Sequence, residues 1–193
     1  MTRAELLAIA KPILFNTAMV RAIDEGRKGA TRRAIKLYLG LADTDKNDSG
    51  YLAIPDEYGD YHDANDLCRY KPGNILYVRE TWAKIGGHYF YKTGHKLLLD
   101  GEPLIKRWHP SIHMPKEAAR IFLRVTDVRV ERLRNMTADD VEREGLTDLM
   151  DEIHALDLFA ELWNSTIKKK DLDRYGWAAN PGVWVIEFGR VKI

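Results

Sequence analysis

Eight consecutive residues, Gly26-Arg27-Lys28-Gly29-Ala30-Thr31-Arg32-Arg33, carry four cations and one hydroxyl. A guanidinium grips a phosphate or carbonyl oxygen through two parallel hydrogen bonds, so Arg32 and Arg33 are the residues expected on an oxyanion. Lys28 and Thr31 stand three apart, which sets them on one face if the segment forms a helical turn. There a lysine amine could take the proton of a threonine hydroxyl, but only with a pKa well below about 10.4. Burial or the charge of Arg27, Arg32 and Arg33 would lower it. The plain alternative is a solvated basic turn in which Thr31 serves as a cap.

The chain as a whole is not basic. Its net charge is +1, from 30 basic and 29 acidic residues among 193. Indiscriminate nucleic-acid binding needs a clearer cationic excess. Residues 21–36 hold six cations against Asp24 and Glu25, whereas 41–66 hold eight carboxylates. A local basic site in a neutral protein suits a compact ligand or a short piece of backbone better than a long duplex.

No apolar run approaches the roughly 20 residues that span a bilayer, and no such run follows the charges of Met1-Thr-Arg-Ala-Glu. No membrane partner is expected. The lone Cys68 allows no internal disulfide, suits a reducing compartment and reads as a packing residue, which together predict a cytoplasmic protein. His109 and His113 flank Pro110, which opposes the helix that would pair them as ligands. With no cysteine partner and no glycine-rich phosphate loop, neither a metal nor a cofactor is expected.

Several elements must position the basic segment. Residues 12–15 read as a buried strand, and Asn16 or Thr17 caps a helix over about 18–25 that ends at Gly26. Residues 40–60 read as a long loop. Lys71-Pro-Gly-Asn is a turn before a strand from Ile75 to Trp82, and 83–107 form a polar hairpin region with turns at Gly86-Gly87 and Asp100-Gly101. Residues 120–134 and 183–191 are strands. A short helix starts at Thr137 and closes at Gly145; a longer amphipathic helix lies within 147–170, where Lys168-Lys169-Lys170 suits its C-terminal end. The loop Trp108-His-Pro-Ser-Ile-His-Met-Pro is expected to border the pocket, with Ser111 and His113 as contacts. Trp177 and Trp184 read as structural. Strands mixed with scattered helices give an α+β class rather than alternating βαβ units.

Four blocks resemble the ASCH domain family, which has a PUA-like β-barrel fold. They are Ile13-Leu-Phe-Asn-Thr-Ala-Met-Val-Arg-Ala-Ile leading into 26–33; Pro72-Gly-Asn-Ile-Leu-Tyr-Val-Arg-Glu-Thr-Trp; Arg120 to Leu133 followed by Val141-Glu-Arg-Glu-Gly; and Asn180-Pro-Gly-Val-Trp-Val-Ile-Glu-Phe. The resemblance is closest to the longer phage and prophage members. It implies one domain over 1–193, a barrel with helices at its mouth, insertions or lid loops at about 40–66 and 83–115, and a helical elaboration at 147–175.

For activity, the resemblance points to the group that hydrolyses the amide of N4-acetylcytidine. Carried over, Thr31 is the nucleophile, Lys28 the base and Glu144 the acid. Arg27, Arg32, Arg33, Glu80, Trp82, Trp108, Ser111 and His113 would hold the substrate, with Glu80 and Trp82 where the barrel opens. The same cleft could instead bind single-stranded RNA or a modified base without chemistry, or cleave RNA without a metal. One departure from the family pattern stands out. Gly29 replaces the threonine usual after the lysine, removing a hydroxyl and, on this reading, loosening the backbone.

Overall fold

A computed structural model describes residues 1–35, 53–55, 61–94, 98–99, 102–103, 105–146 and 152–193. In chain order the first elements are α1 (Arg3–Ile9), β1 (Lys11–Leu14), α2 (Thr17–Asp24), β2 (Ala30–Ala34), β3 (Ala53–Pro55), β4 (Tyr61–Asp63) and α3 (Ala64–Leu67). Next come β5 (Ile75–Arg79), β6 (Trp82–Ile85), β7 (His88–Tyr91), β8 (Leu98–Leu99), β9 (Glu102–Pro103) and β10 (Phe122–Arg132). The chain continues through α4 (Ala138–Arg143), α5 (Glu152–Thr166), α6 (Leu172–Tyr175) and β11 (Gly182–Arg190). The class is α+β.

Local chemistry explains the element ends. Asn16 caps α2 by accepting from the Met19 amide, and Gly26 leaves the helix with φ 76°. Thr137 and Asp140 form a reciprocal capping box on α4, and Gly145 closes it with φ 96°. Helix α1 is an addition to the sequence reading, held by a second capping box in which the Glu5 carboxylate accepts from the Thr2 amide at 2.9 Å. The apolar stretch from Ile75 does not run on to Trp82: β5 stops at Arg79, and β6 pairs with β7 instead. The lysine run lies beyond the end of α5 at Thr166, and most of the loop expected over 40–60 falls outside the described residues.

The central sheet runs β1-β5-β10-β11-β2, parallel between β1 and β5 and antiparallel elsewhere. A bulge between Val125 and Asp127 bends the long strand β10. Strand alternation divides the apolar residues between two faces. One face packs Ile13, Val78, Leu123, Val125 and Ile186 against Val20 and Ile23 of α2. The opposite face is covered in two places. Leu6 of α1 meets Tyr77 and Phe122 at the β1–β5 end, and Val141, Phe159 and Trp163 of α4 and α5 meet Val183 and Val185 at the other. Each fully buried Leu, Ile, Val or Phe contributes about 1.5–3 kcal/mol, so these layers fix the curvature of the sheet.

The two edge strands are joined by a side chain. Arg33 of β2 donates from Nη2 to the Leu14 carbonyl of β1 at 2.8 Å. Among the described residues no backbone ladder pairs β1 with β2. The sheet is therefore curled far enough for its edges to be spanned, and a seam remains between them.

Candidate functional site

Lys28 and Glu144 lie 116 positions apart and meet inside the protein. The lysine Nζ donates to Glu144 Oε2 at 2.7 Å and to the Glu144 carbonyl at 2.8 Å. The two side chains are 0% and 4% exposed. Burial pushes the Lys28 amine below its ordinary value; Glu144 opposes this, and the charges of Arg33 and Arg32 add to it. The Lys28 ammonium also rests 5.5 Å from the centre of the Phe15 ring.

Glycines on either side make this meeting possible. A Cβ at Gly145 would lie 2.7 Å from Ala22 Cβ and 3.0 Å from Lys28 Cβ, so α4 can bring Glu144 to the lysine only with glycine next in sequence. Gly29 is not loosened backbone. Its amide donates to the Arg143 carbonyl at 2.8 Å, and its carbonyl accepts from the Phe188 amide at 2.9 Å. A Cβ there would make only ordinary contact, 3.8 Å from the Phe188 carbonyl.

The segment after Lys28 is a strand, which corrects the helical-turn expectation for Lys28 and Thr31. In the β2–β11 register Thr31 pairs with Ile186 and Arg33 with Trp184, placing both on the α2 face, while Arg32 pairs with Val185 on the α4 face. Thr31 is 3% exposed. Lys28 Nζ gives it no hydrogen bond; both of the amine's partners among the described residues belong to Glu144.

Arg32 is not available to a ligand as the sequence suggested. Its guanidinium is 1% exposed and surrounded by Asp140 at 3.1 Å, Glu144 at 3.4 Å and Glu131 at 3.8 Å. Arg27 is spent on Glu25 and on the Gly145 carbonyl. Its neighbour Arg33 has no carboxylate within ion-pair distance among the described residues, and burial lowers its pKa from the ordinary guanidinium value.

The remaining expected residues gather elsewhere. Glu80 is buried and held by Arg120 at 2.8 Å and by the Thr93 hydroxyl at 2.9 Å; burial pushes its carboxyl upward against these bonds. Trp82 stacks on His109 with centroids 4.8 Å apart, so that face of the indole is already covered. Trp108 lines a cavity of about 290 Å³ with Arg120, Asp24 and Tyr91. The turn Ser111–His113 presents an exposed His113, and its Ile112 carbonyl accepts from Arg79. Among the described residues no cluster of His, Cys, Asp and Glu could hold a metal ion.

A larger cavity, about 340 Å³, occupies the seam between β1 and β2. Arg33, Arg69 and Arg79 enter it, with Tyr70, Trp184 and Ile186 among its apolar and aromatic walls. Sequence reasoning singled out only Arg33 here. Arg69 and Arg79 lie outside any basic run, and Trp184 reads as core, so nothing local marks them. The usable signal was register alone: Leu14 pairs with Arg79 and Arg33 with Trp184, which sets the arginines at the seam.

The fold and site together define an α+β protein with a buried lysine–glutamate pair beside an arginine-lined seam in a curled sheet. Comparison with protein-family models, curated proteins and solved structures finds no match to this chain. No described helix is long and apolar enough to cross a membrane.

Proposed function

We propose that this chain is an ASCH-type protein with a PUA-like barrel, and that it hydrolyses the amide of an N4-acylated cytidine. The observation that carries this reading is the buried contact at 2.7 Å between Lys28 and Glu144, formed across 116 positions of sequence. A proton moved from Lys28 to Glu144 within the pair would create a neutral amine base and a carboxylic acid together, and burial already pulls the Lys28 amine toward its neutral form. Lys28 would then take the Thr31 hydroxyl proton as the oxygen attacks the acyl carbon. Glu144 would protonate the departing N4 nitrogen, leaving cytidine and an acyl ester on Thr31. Water attacking that ester releases the carboxylic acid and restores the threonine. The reading carries a cytoplasmic location with it.

The test is deacetylation of N4-acetylcytidine followed by chromatography, with the wild-type chain and the variants Thr31→Ala and Thr31→Ser. Loss of turnover in the alanine variant and partial activity in the serine variant are expected, with unchanged thermal unfolding. A wild-type protein inert on N4-acylated cytidines, free and in RNA, overturns the reading.

A second reading is favoured by one feature of the same pair. The Lys28 ammonium has two partners on Glu144 and none on Thr31, an arrangement suited to a structural ion pair that shapes a binding cleft. That protein would bind a modified base or single-stranded RNA without chemistry, and Thr31→Ala would leave binding intact.

A further inference from the structure

Among the described residues, the seam cavity has a charge that its walls do not balance. Arg33, Arg69 and Arg79 line it, no described acidic residue does, and none of the three forms an ion pair with a described carboxylate. Elsewhere arginines meet carboxylates: the buried Arg32 faces three, and the half-buried Arg120 bonds both Glu80 and Asp24. Arg33 and Arg79 are half-buried and Arg69 is exposed, and guanidinium groups gathered beside apolar walls favour an anion between them.

The donors are placed, not loose. Arg33 is held by the Leu14 carbonyl at 2.8 Å, and among the described residues no carboxylate pairs with its remaining N–H groups. Arg79 is anchored by the Ile112 carbonyl, while its Nε is buried with no hydrogen-bond partner. Arg69 is exposed at the rim. Beside them stand Tyr70, oriented by its hydroxyl bond to the Pro12 carbonyl at 2.8 Å, and Trp184, the cross-strand partner of Arg33. Guanidinium forks and aromatic rings lining one cavity match a phosphate joined to a flat heterocycle. The volume, about 340 Å³, is at the small end of ligand pockets and suits one nucleotide unit.

We propose that the seam cavity binds the phosphate of a single nucleotide unit through Arg33, Arg69 and Arg79, so that the substrate is a cytidine nucleotide rather than a free nucleoside. The identity of the base rests on the hydrolase reading above; the phosphate site rests on the cavity alone. Two sources could supply that chemistry, a mononucleotide and a nucleic-acid backbone.

The experiment is calorimetric titration of the full chain with cytidine, cytidine 5′-monophosphate and a five-residue oligocytidylate. The monophosphate should bind at least about tenfold tighter than cytidine, as expected for a bond to a charged group. Arg69→Glu, at an exposed position where folding is not at stake, should erase that ratio, and Arg79→Gln should reduce it. Arg134→Glu, an exposed control that does not line the cavity, should leave it unchanged. An oligomer advantage over the monophosphate that is also lost in Arg69→Glu assigns the source as a nucleic-acid backbone and upholds the site. Equal binding of cytidine and its monophosphate, no binding of either, or a ratio insensitive to Arg69→Glu overturns it. Hydrolysis of N4-acetylcytidine without any phosphate preference sinks this site and spares the hydrolase reading. An arginine-dependent phosphate preference in a protein inert on N4-acyl groups does the reverse.

Discussion

Arg32 and Arg33 are neighbours in sequence and occupy opposite environments. Arg32 points to the α4 face and is enclosed by Asp140, Glu144 and Glu131; Arg33 points to the α2 face and lines a cavity with two more arginines. One residue of strand offset separates an ion cluster from a seam whose arginines meet no carboxylate among the described residues. The contrast teaches that a basic run is not one site. Its cations divide between holding the fold and facing a ligand, and the division follows the strand's two faces.

The ion cluster should dominate stability. Glu144→Ala strands Lys28 as a buried charge, and a loss of about 3–5 kcal/mol is expected in denaturant unfolding. The double variant Lys28→Met, Glu144→Leu should recover much of that loss; an equal or larger loss in the double variant would show that the carboxylate acts through other partners.

Gly145→Ala comes next. Its Cβ would collide with Ala22 and Lys28 at a positive φ, which predicts a loss of about 2–4 kcal/mol. Circular dichroism melts against Glu142→Ala, an exposed position on the same helix, would check it.

The two arginines themselves give the direct comparison. Arg32→Ala should cost about 3 kcal/mol by leaving Asp140 and Glu144 without it, whereas Arg33→Ala should cost about 1 kcal/mol, one hydrogen bond. Equal losses would erase the distinction drawn between the two faces.

Proton linkage offers a finer measure. The Lys28 amine titrates lower in the folded chain than in the unfolded one, so between those two values the unfolded state binds more protons. Stability should therefore rise with pH through that window, up to about 10.5, and this contribution is a constant penalty below it. Lys28→Met should flatten that part of the pH–stability curve.

The smallest effect belongs to Gly29. Gly29→Ala should stabilise by about 0.5 kcal/mol, because the added Cβ meets only ordinary contact and the unfolded chain loses freedom. A loss instead would mean that the backbone there needs glycine after all.

Much of the frame was legible in the sequence. Asn16 before an apolar helical face, Thr137 with Asp140, and the Gly26 and Gly145 stops are local signals, and each defines the end of an element. The convergence of Lys28 and Glu144 was approached only through resemblance, since 116 positions lie between them. The residues assigned to one substrate cleft have different partners: Glu80 bonds to Arg120, Trp82 stacks on His109 and Trp108 lines a cavity with Arg120, whereas Lys28 is bound by Glu144.

By itself, then, the sequence determined the α+β class, the capped helices α2 and α4, the approximate places of β1, β5, β10 and β11, and the concentration of cations at 26–33, because caps, glycine stops and apolar periodicity act within a few residues. The tertiary structure alone decided that Thr31 lies on a strand, that Arg32 meets three carboxylates while Arg33 meets none among the described residues, and that Arg69 and Arg79 share a seam with Arg33. Those outcomes depend on strand register and on how far the sheet curls. Both are set by packing between residues distant in the chain, where local propensity carries no information.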